Sequence, residues 1–147
     1  MDDDACVEIV VVEDNPRDAE LTVRALRKHG AAGALRVVRD GTEALDFLFA
    51  RGPFSGRRAT PPPKVILLDL KMPRMGGLEL LEALKPDERT RSIPVVVISS
   101  SRQDSDIRSA YALGVSSYVV KPVDFDEFDD TLGRVGTYWM RVNQPPG

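Results

Sequence analysis

The sequence predicts an α/β protein: one five-stranded parallel sheet with helices on both faces and strand order 2-1-3-4-5. Three observations lead there. Short β-branched runs alternate with longer amphipathic segments along the whole chain. Runs such as Glu8-Ile9-Val10-Val11-Val12 and Val65-Ile66-Leu67-Leu68 are almost wholly apolar, as strands covered on both faces must be. Polar, capping or small residues then separate each run from the helix that follows it. Parallel strands joined by helices require right-handed crossovers, and the crevice of such a sheet lies at the carboxyl ends of the strands, beside the point where the order reverses. At 147 residues the chain has the length of one domain, read as residues 1–147 with a core about 7–140.

The first strand ends in Glu13-Asp14. Asn15 is a capping residue, Pro16 suits the first helical position, and Asp18 stands at capping-box spacing. Leu21, Ala25 and Lys28 trace one side of the first helix, Val23 and Leu26 widen its apolar stripe, and Gly30 stops it. His29 falls in the last turn, where it complements the helix dipole. Ala34 to Val38 reads as the second strand. Asp40-Gly41-Thr42-Glu43 then caps a helix bearing Ala44, Leu45, Leu48 and Phe49. Residues 51–63, which include three consecutive prolines, read as an inserted loop. The third strand, Val65 to Leu68, ends on Asp69. A tight loop from Leu70 to Gly77 opens a helix with Leu78, Leu81, Ala83 and Leu84, bounded by Pro86. Val95 to Ile98 is a fourth strand ending in Ser99-Ser100-Ser101, and the next helix carries Ile107, Ala110 and Tyr111, with Tyr111 read as core. Tyr118-Val119-Val120 runs into Lys121-Pro122. The last helix sets Phe125, Phe128, Leu132, Val135 and Trp139 on a packed face, with Gly133 and Gly136 expected to weaken it by about 1 kcal/mol each relative to alanine.

Composition removes several classes of function. With 20 Lys plus Arg against 23 Asp plus Glu, the net charge is −3, which argues against a nucleic-acid partner. No apolar run is long enough to span a membrane. The start, Met1-Asp2-Asp3-Asp4, is acidic where an export signal would be basic, and the single cysteine, Cys6, allows no intramolecular disulfide. The expected compartment is the cytoplasm. A single histidine leaves no multi-imidazole zinc site, and neither Gly-rich nucleotide motif is present.

The residues just past the strands are Glu13 and Asp14, then Asp69, Ser99 and Lys121. In the predicted order the first and third strands are neighbours, so three carboxylates converge there, with a hydroxyl and an ammonium arriving from one side. Such carboxylates repel one another unless one protonates or a cation is present. Oxygen-only ligands suit a hard cation, Mg²⁺, held by Asp14, Asp69 and the backbone carbonyl of Lys71. A carboxylate on a metal beside a lysine is arranged for phosphoryl transfer, with Asp69 as the nucleophile that becomes an acyl phosphate.

Glu13-Asp14, the stretch Asp69-x-x-Met72-Pro73-x-Met75-x-Gly77, Ser99 and Lys121-Pro122 together resemble the receiver domain of two-component response regulators, over about Glu8 to Met140. The resemblance implies a (βα)5 flavodoxin-like three-layer sandwich. It also implies that Asp69 takes phosphate from a sensor histidine kinase, that Asp14 binds Mg²⁺ with Glu13 helping through water, and that Lys121 contacts the phosphoryl oxygens ahead of a cis Lys121–Pro122 bond. Ser99 and Tyr118 match the family's switching pair. Lys71 and Ser101 fall where the family tunes dephosphorylation. The output would be protein contact, with a downstream target or a phosphotransfer protein; seven residues after Met140 are too few for a DNA-binding helix-turn-helix.

The 51–63 loop and the aromatic end Tyr138-Trp139 are similar to small stand-alone receivers that work beside bacterial phytochrome kinases. Those often form homodimers through helix 4, strand 5 and helix 5. Trp139 is equally read as packing the last helix on the sheet. Two other functions compete for the site: a haloacid-dehalogenase-type phosphatase, against which stands Lys71 where that family places a second acid, and a non-phosphorylated interaction module, against which stand the intact acids, hydroxyl and lysine.

Overall fold

The computed structural model describes residues 7–31, 33–57 and 61–146. The acidic start and Cys6 lie outside them, as does part of the 51–63 loop. Five strands, β1 (Ile9–Val12), β2 (Leu35–Val38), β3 (Val65–Leu68), β4 (Val95–Ser99) and β5 (Ser117–Val120), form one parallel sheet in the order β2-β1-β3-β4-β5. Between and after them run α1 (Pro16–Lys28), α2 (Gly41–Leu48), α3 (Gly77–Leu84), α4 (Asp104–Ala112) and α5 (Phe125–Thr137).

Alternate residues of each strand point to opposite faces, so each strand feeds two cores. Val10, Val12, Ile66, Leu68 and Val97 pack under α2 and α3 with Phe47 and Leu80. Ile9, Val11, Val65, Leu67, Val96 and Ile98 pack under α1 and α5 with Leu26, Phe128 and Leu132. That two-sided burial is why β1 and β3 read as unbroken apolar runs. All eight of their residues are buried.

The loop after α2 is less free than its composition suggests. It makes a short 3-10 turn, Gly52–Phe54, with the Phe54 ring edge-on to Phe47 at 5.2 Å. Arg57 is buried, donates to the Phe47 carbonyl at 2.7 Å and lays its guanidinium 3.9 Å above the Phe47 ring. A cation over an aromatic face is held by the ring quadrupole, more strongly where water is excluded.

Three expectations need correction. Tyr111 is half exposed, at 50%, rather than core. The buried residues of α4 are Asp106 and Ala110, four apart on one narrow stripe, and the next residue round the helix faces solvent. Phe125, at the first position of α5, is 53% exposed, so the packed face begins at Phe128. Gly133 and Gly136 are not simple weak points, because both are buried where α5 meets α1. A Cβ on Gly136 would lie 2.5 Å from Leu26 Cδ2 and 3.0 Å from Ala31 Cβ, and one on Gly133 would lie 2.3 Å from the His29 ring. The glycines set how closely the two helices approach. His29 and Lys28 complete the seam, at 3.3 and 3.0 Å from Asp129 Oδ2.

Trp139 lies beyond α5 in a π-helical turn, Tyr138–Val142, and packs against the α1–α5 core, with Tyr138 edge-on to it at 5.0 Å. This favours the packing reading of the aromatic end. Among the described residues no helix is long and apolar enough to cross a membrane.

The close approach of the helices makes a prediction of unusual sign. Gly136→Ala should raise helix propensity by about 1 kcal/mol, yet overpacking against Leu26 and Ala31 should cost about 1–3 kcal/mol. We expect net destabilisation in urea melts. Gly133→Ala should be milder, because the His29 ring is partly exposed and can swing aside.

Candidate functional site

Because every strand runs the same way, the residue following each one arrives at the same edge of the sheet. Glu13 continues β1, and its N–H pairs with the Val38 carbonyl at 2.9 Å. Asp69 continues β3, and its N–H pairs with the Val12 carbonyl at 3.0 Å. These ladder bonds place the two acids on adjacent strands. Carboxylate oxygens of Glu13, Asp14 and Asp69 lie within 4.8 Å of one another. Glu13 and Asp69 are buried, and Asp14 is half-buried.

Local sequence shapes the loop beneath Asp69. Leu70 N–H donates to Asp69 Oδ1 at 2.8 Å, holding that oxygen. Gly77 lets α3 begin against the strand end: a Cβ there would stand 2.6 Å from the Asp69 carbonyl oxygen. Arg74 takes a positive φ of 62° at the loop tip, and its Nε donates to Asp40 Oδ2 at 2.6 Å. Asp40 is buried and also caps α2 through Glu43 N–H at 2.9 Å, so one carboxylate ties the loop to that helix.

Lys121 enters from the end of β5. Its Nζ lies 2.7 Å from Glu13 Oε1, 2.8 Å from Asp18 Oδ2 and 3.7 Å from Asp69 Oδ2, with only 11% of the side chain exposed. The electrostatics follow from burial against charge. Desolvation pushes the Glu13 carboxyl up to about 7, against the hydrogen bond from Lys121, and the Asp69 charge adds to the rise. Burial raises Asp69 as well, opposed by Lys121. For Lys121, burial would depress the ammonium, but its bonds to Asp18 and Glu13 and the Asp69 charge outweigh that and hold it firmly protonated.

Ser99 is fully buried at the end of β4. Its Oγ accepts from Ser101 N–H at 3.2 Å, while the Ser101 carbonyl accepts from the Tyr118 hydroxyl at 2.9 Å. Tyr118 packs against the α2–α3 core and so occupies an inward position. Ser101 Oγ donates to Asp106 Oδ2 at 2.5 Å, and the Lys71 ammonium lies 3.4 Å from the same oxygen. Ser99, Tyr118 and α4 are thus joined through one residue.

The structure brings Glu13, Asp14, Asp69 and Lys121 into one cluster, with Ser99, Tyr118 and Lys71 forming an adjoining network. Two residues escaped sequence reasoning. Asp18 reads as a capping-box acid, but the Asn15 N–H goes to Glu13 Oε2 at 3.1 Å and the Asp18 carboxylate goes to Lys121. Asp106 looks like any acid in a first helical turn, and nothing nearby in sequence marks it. Beside the cluster a groove of about 370 Å³, lined in part by Asn15, Leu21, Pro122 and Phe125, accounts for the exposure of Phe125. A larger cavity, about 570 Å³ and mostly apolar, lies instead at the amino ends of the strands, among Val7, Pro61, Ile93 and Pro145.

Chemically, an all-oxygen donor set with no thiolate or imidazole suits a hard divalent cation. Four carboxylates around one ammonium also leave the cluster short of positive charge.

The chain resembles proteins of known type over nearly its whole length. The probable methanogenesis regulatory protein FilR2 of Methanothrix harundinacea is 41% identical, covering 95% of this chain and 87% of that protein. Response regulator Rcp1 of Synechocystis is 30% identical, covering 91% and 89%. The Mn²⁺-bound form of Rcp1 superposes with a TM-score of 0.87 at 29% identity, covering 97% of this chain and 100% of that one. The phosphorylated cyanobacterial phytochrome response regulator RcpA superposes with a TM-score of 0.88 at 32% identity, again covering 97% and 100%. The sheet order, the acidic edge and the match of residues 9–132 to the family model agree: this chain belongs to the response regulator receiver domain family.

Proposed function

We propose that this receiver is a phosphorylation switch whose acceptor is Asp69, whose cation is Mg²⁺ and whose donor is the phosphohistidine of a sensor histidine kinase. The observation that carries the reading is the meeting of Glu13, Asp14 and Asp69 with Lys121 at one buried edge. An Asp69 oxygen attacks phosphorus, the N–P bond of the phosphohistidine breaks, and the imidazole leaves with that bonding pair. Leu70 N–H holds Asp69 Oδ1 and leaves Oδ2 on the lysine side. Lys121 then meets the charge of the transferred group.

Asp14, Asp69 and the Lys71 carbonyl would hold Mg²⁺, with Glu13 acting through water. The ion supplies charge neutralisation at the phosphoryl oxygens. The protein's only catalysis in this reading is its own phosphorylation and dephosphorylation.

Output follows from the Ser99–Ser101–Tyr118 chain. If the Ser99 hydroxyl turns to the phosphoryl group, it releases Ser101 N–H, and Ser101 carries that change to Tyr118 and to Asp106 on α4. A phosphate that interacts differently with two arrangements shifts their populations, and the reader is a downstream protein or phosphotransfer partner. The likeness to the phytochrome response regulator RcpA supports a phytochrome-class kinase as the donor, and in this reading the two meet in the cytoplasm. Homodimerisation through α4, β5 and α5 accords with the exposure of Tyr111 on α4.

Intact mass after incubation with Mg²⁺ and acetyl phosphate tests the acceptor. A single phosphoryl adduct is expected, absent in Asp69→Asn and with a chelator. No adduct under conditions that label other receivers would overturn the reading.

Proton and cation also compete at Glu13. In the metal-free fold Glu13 keeps its proton up to about pH 7, whereas an unfolded chain loses it near 4.5. The folded state binds more protons between those values, so metal-free stability should fall as pH rises through that window. Added Mg²⁺, which prefers the ionised carboxylate, should stabilise increasingly over the same range. Melting temperatures with chelator and with Mg²⁺ between about pH 5 and pH 8 check this, and Glu13→Gln should flatten both trends.

A further inference from the structure

Lys121 is partly inside the donor set that a divalent cation would use. Its ammonium draws on Glu13 and Asp69, both members of the acidic trio, and on Asp18, which is not. Ammonium and cation therefore compete for Glu13, and a cation can enter cheaply only if the ammonium has another anionic partner to stay with.

Asp18 is built to be that partner. It occupies the third position of α1, where an acid ordinarily turns back to the cap. Here the capping bonds are made without its carboxylate. Asn15 Oδ1 accepts from Arg17 and Asp18 N–H at 2.9 and 3.1 Å, and Glu13 Oε2 accepts from Asn15 N–H at 3.1 Å. The side chain is left to reach Lys121 Nζ at 2.8 Å, 103 residues away in sequence. It approaches from the α1 side, whereas Asp69 approaches from β3. Without Asp18, every acidic partner remaining within 4 Å of the Lys121 ammonium among the described residues belongs to the trio.

We propose that Asp18 is a positioning residue that shares the Lys121 ammonium with the trio, so that the ammonium keeps an anionic partner when a divalent cation takes Glu13 and Asp69. Loss of the Asp18 charge leaves the ammonium only Glu13 and Asp69 to pair with, where it acts as a tethered competitor. This rests on the metal reading above and adds to it a residue that would touch neither the metal nor the phosphoryl group.

Mg²⁺ binding to the unphosphorylated full chain, measured by titration calorimetry, tests the assignment through a double-mutant cycle. Asp18→Asn should weaken Mg²⁺ binding about five- to tenfold. Lys121→Met, which removes the competitor and keeps the stem, should tighten it. In the Lys121→Met background, Asp18→Asn should change affinity by less than about twofold, the coupling being carried by the ammonium. Asp18→Glu should restore near-native affinity, and unchanged cooperative melting of each variant excludes a folding defect as the cause. Equal weakening with and without Lys121 would reduce Asp18 to one more negative charge near the site and overturn the proposal, as would unaltered affinity in Asp18→Asn. Failure of the wild-type chain to bind Mg²⁺ would instead overturn the metal reading itself.

Discussion

Burying negative charge is the constraint around which this protein is arranged. Two adjacent parallel strands end in acids, and the sheet that makes them neighbours also removes them from water. A buried carboxylate must protonate, be paired or meet a metal. Glu13 and Asp69 show all three pressures. Burial raises both, Lys121 lowers both, and the donor set remains suited to a divalent cation. The site is electrostatically unfinished, which is the condition a reversible switch needs. A fully neutralised cluster would have no reason to respond to an added phosphoryl group.

Short polar contacts, rather than apolar ones, lead away from that edge. Ser101 bonds by its N–H, carbonyl and hydroxyl to Ser99, Tyr118 and Asp106. Asp106 in turn lies close to the ammonium of Lys71, two residues past Asp69. Packed cores resist continuous deformation, so in the proposed switch a change at the edge would be carried by these polar groups. On the other face the opposite design holds. Gly133 and Gly136 bring α5 against α1, and Lys28, His29 and Asp129 close the seam. This side keeps the edge residues in register, with Asp18 on α1 held opposite Lys121 at the end of β5.

Much of this was legible in the chain. Uninterrupted apolar runs identified β1 and β3 because a strand covered on both faces has no polar side to show. Asn15, Asp40 and Gly30 marked helix ends, and Gly30 does take a positive φ of 68°. Periodicity misled where a helix buries only a narrow stripe, as at Tyr111, or begins past the edge of the core, as at Phe125. Propensity misled at Gly136, where the missing side chain is what the neighbouring helix requires.

The edge residues themselves follow from order along the chain. In a parallel sheet every strand ends on the same side, so Glu13, Asp14, Asp69, Ser99 and Lys121 must gather there whatever the details of packing. Their pairing does not follow from order. Whether Lys121 meets Asp18 as well as Glu13, how Ser101 bridges Ser99 and Tyr118, and how near α5 comes to α1 depend on distances between groups remote in sequence. Those distances are set by side-chain volume and backbone approach over the whole core. Local pattern encodes which face a residue takes; only the packed fold decides which partner it finds there.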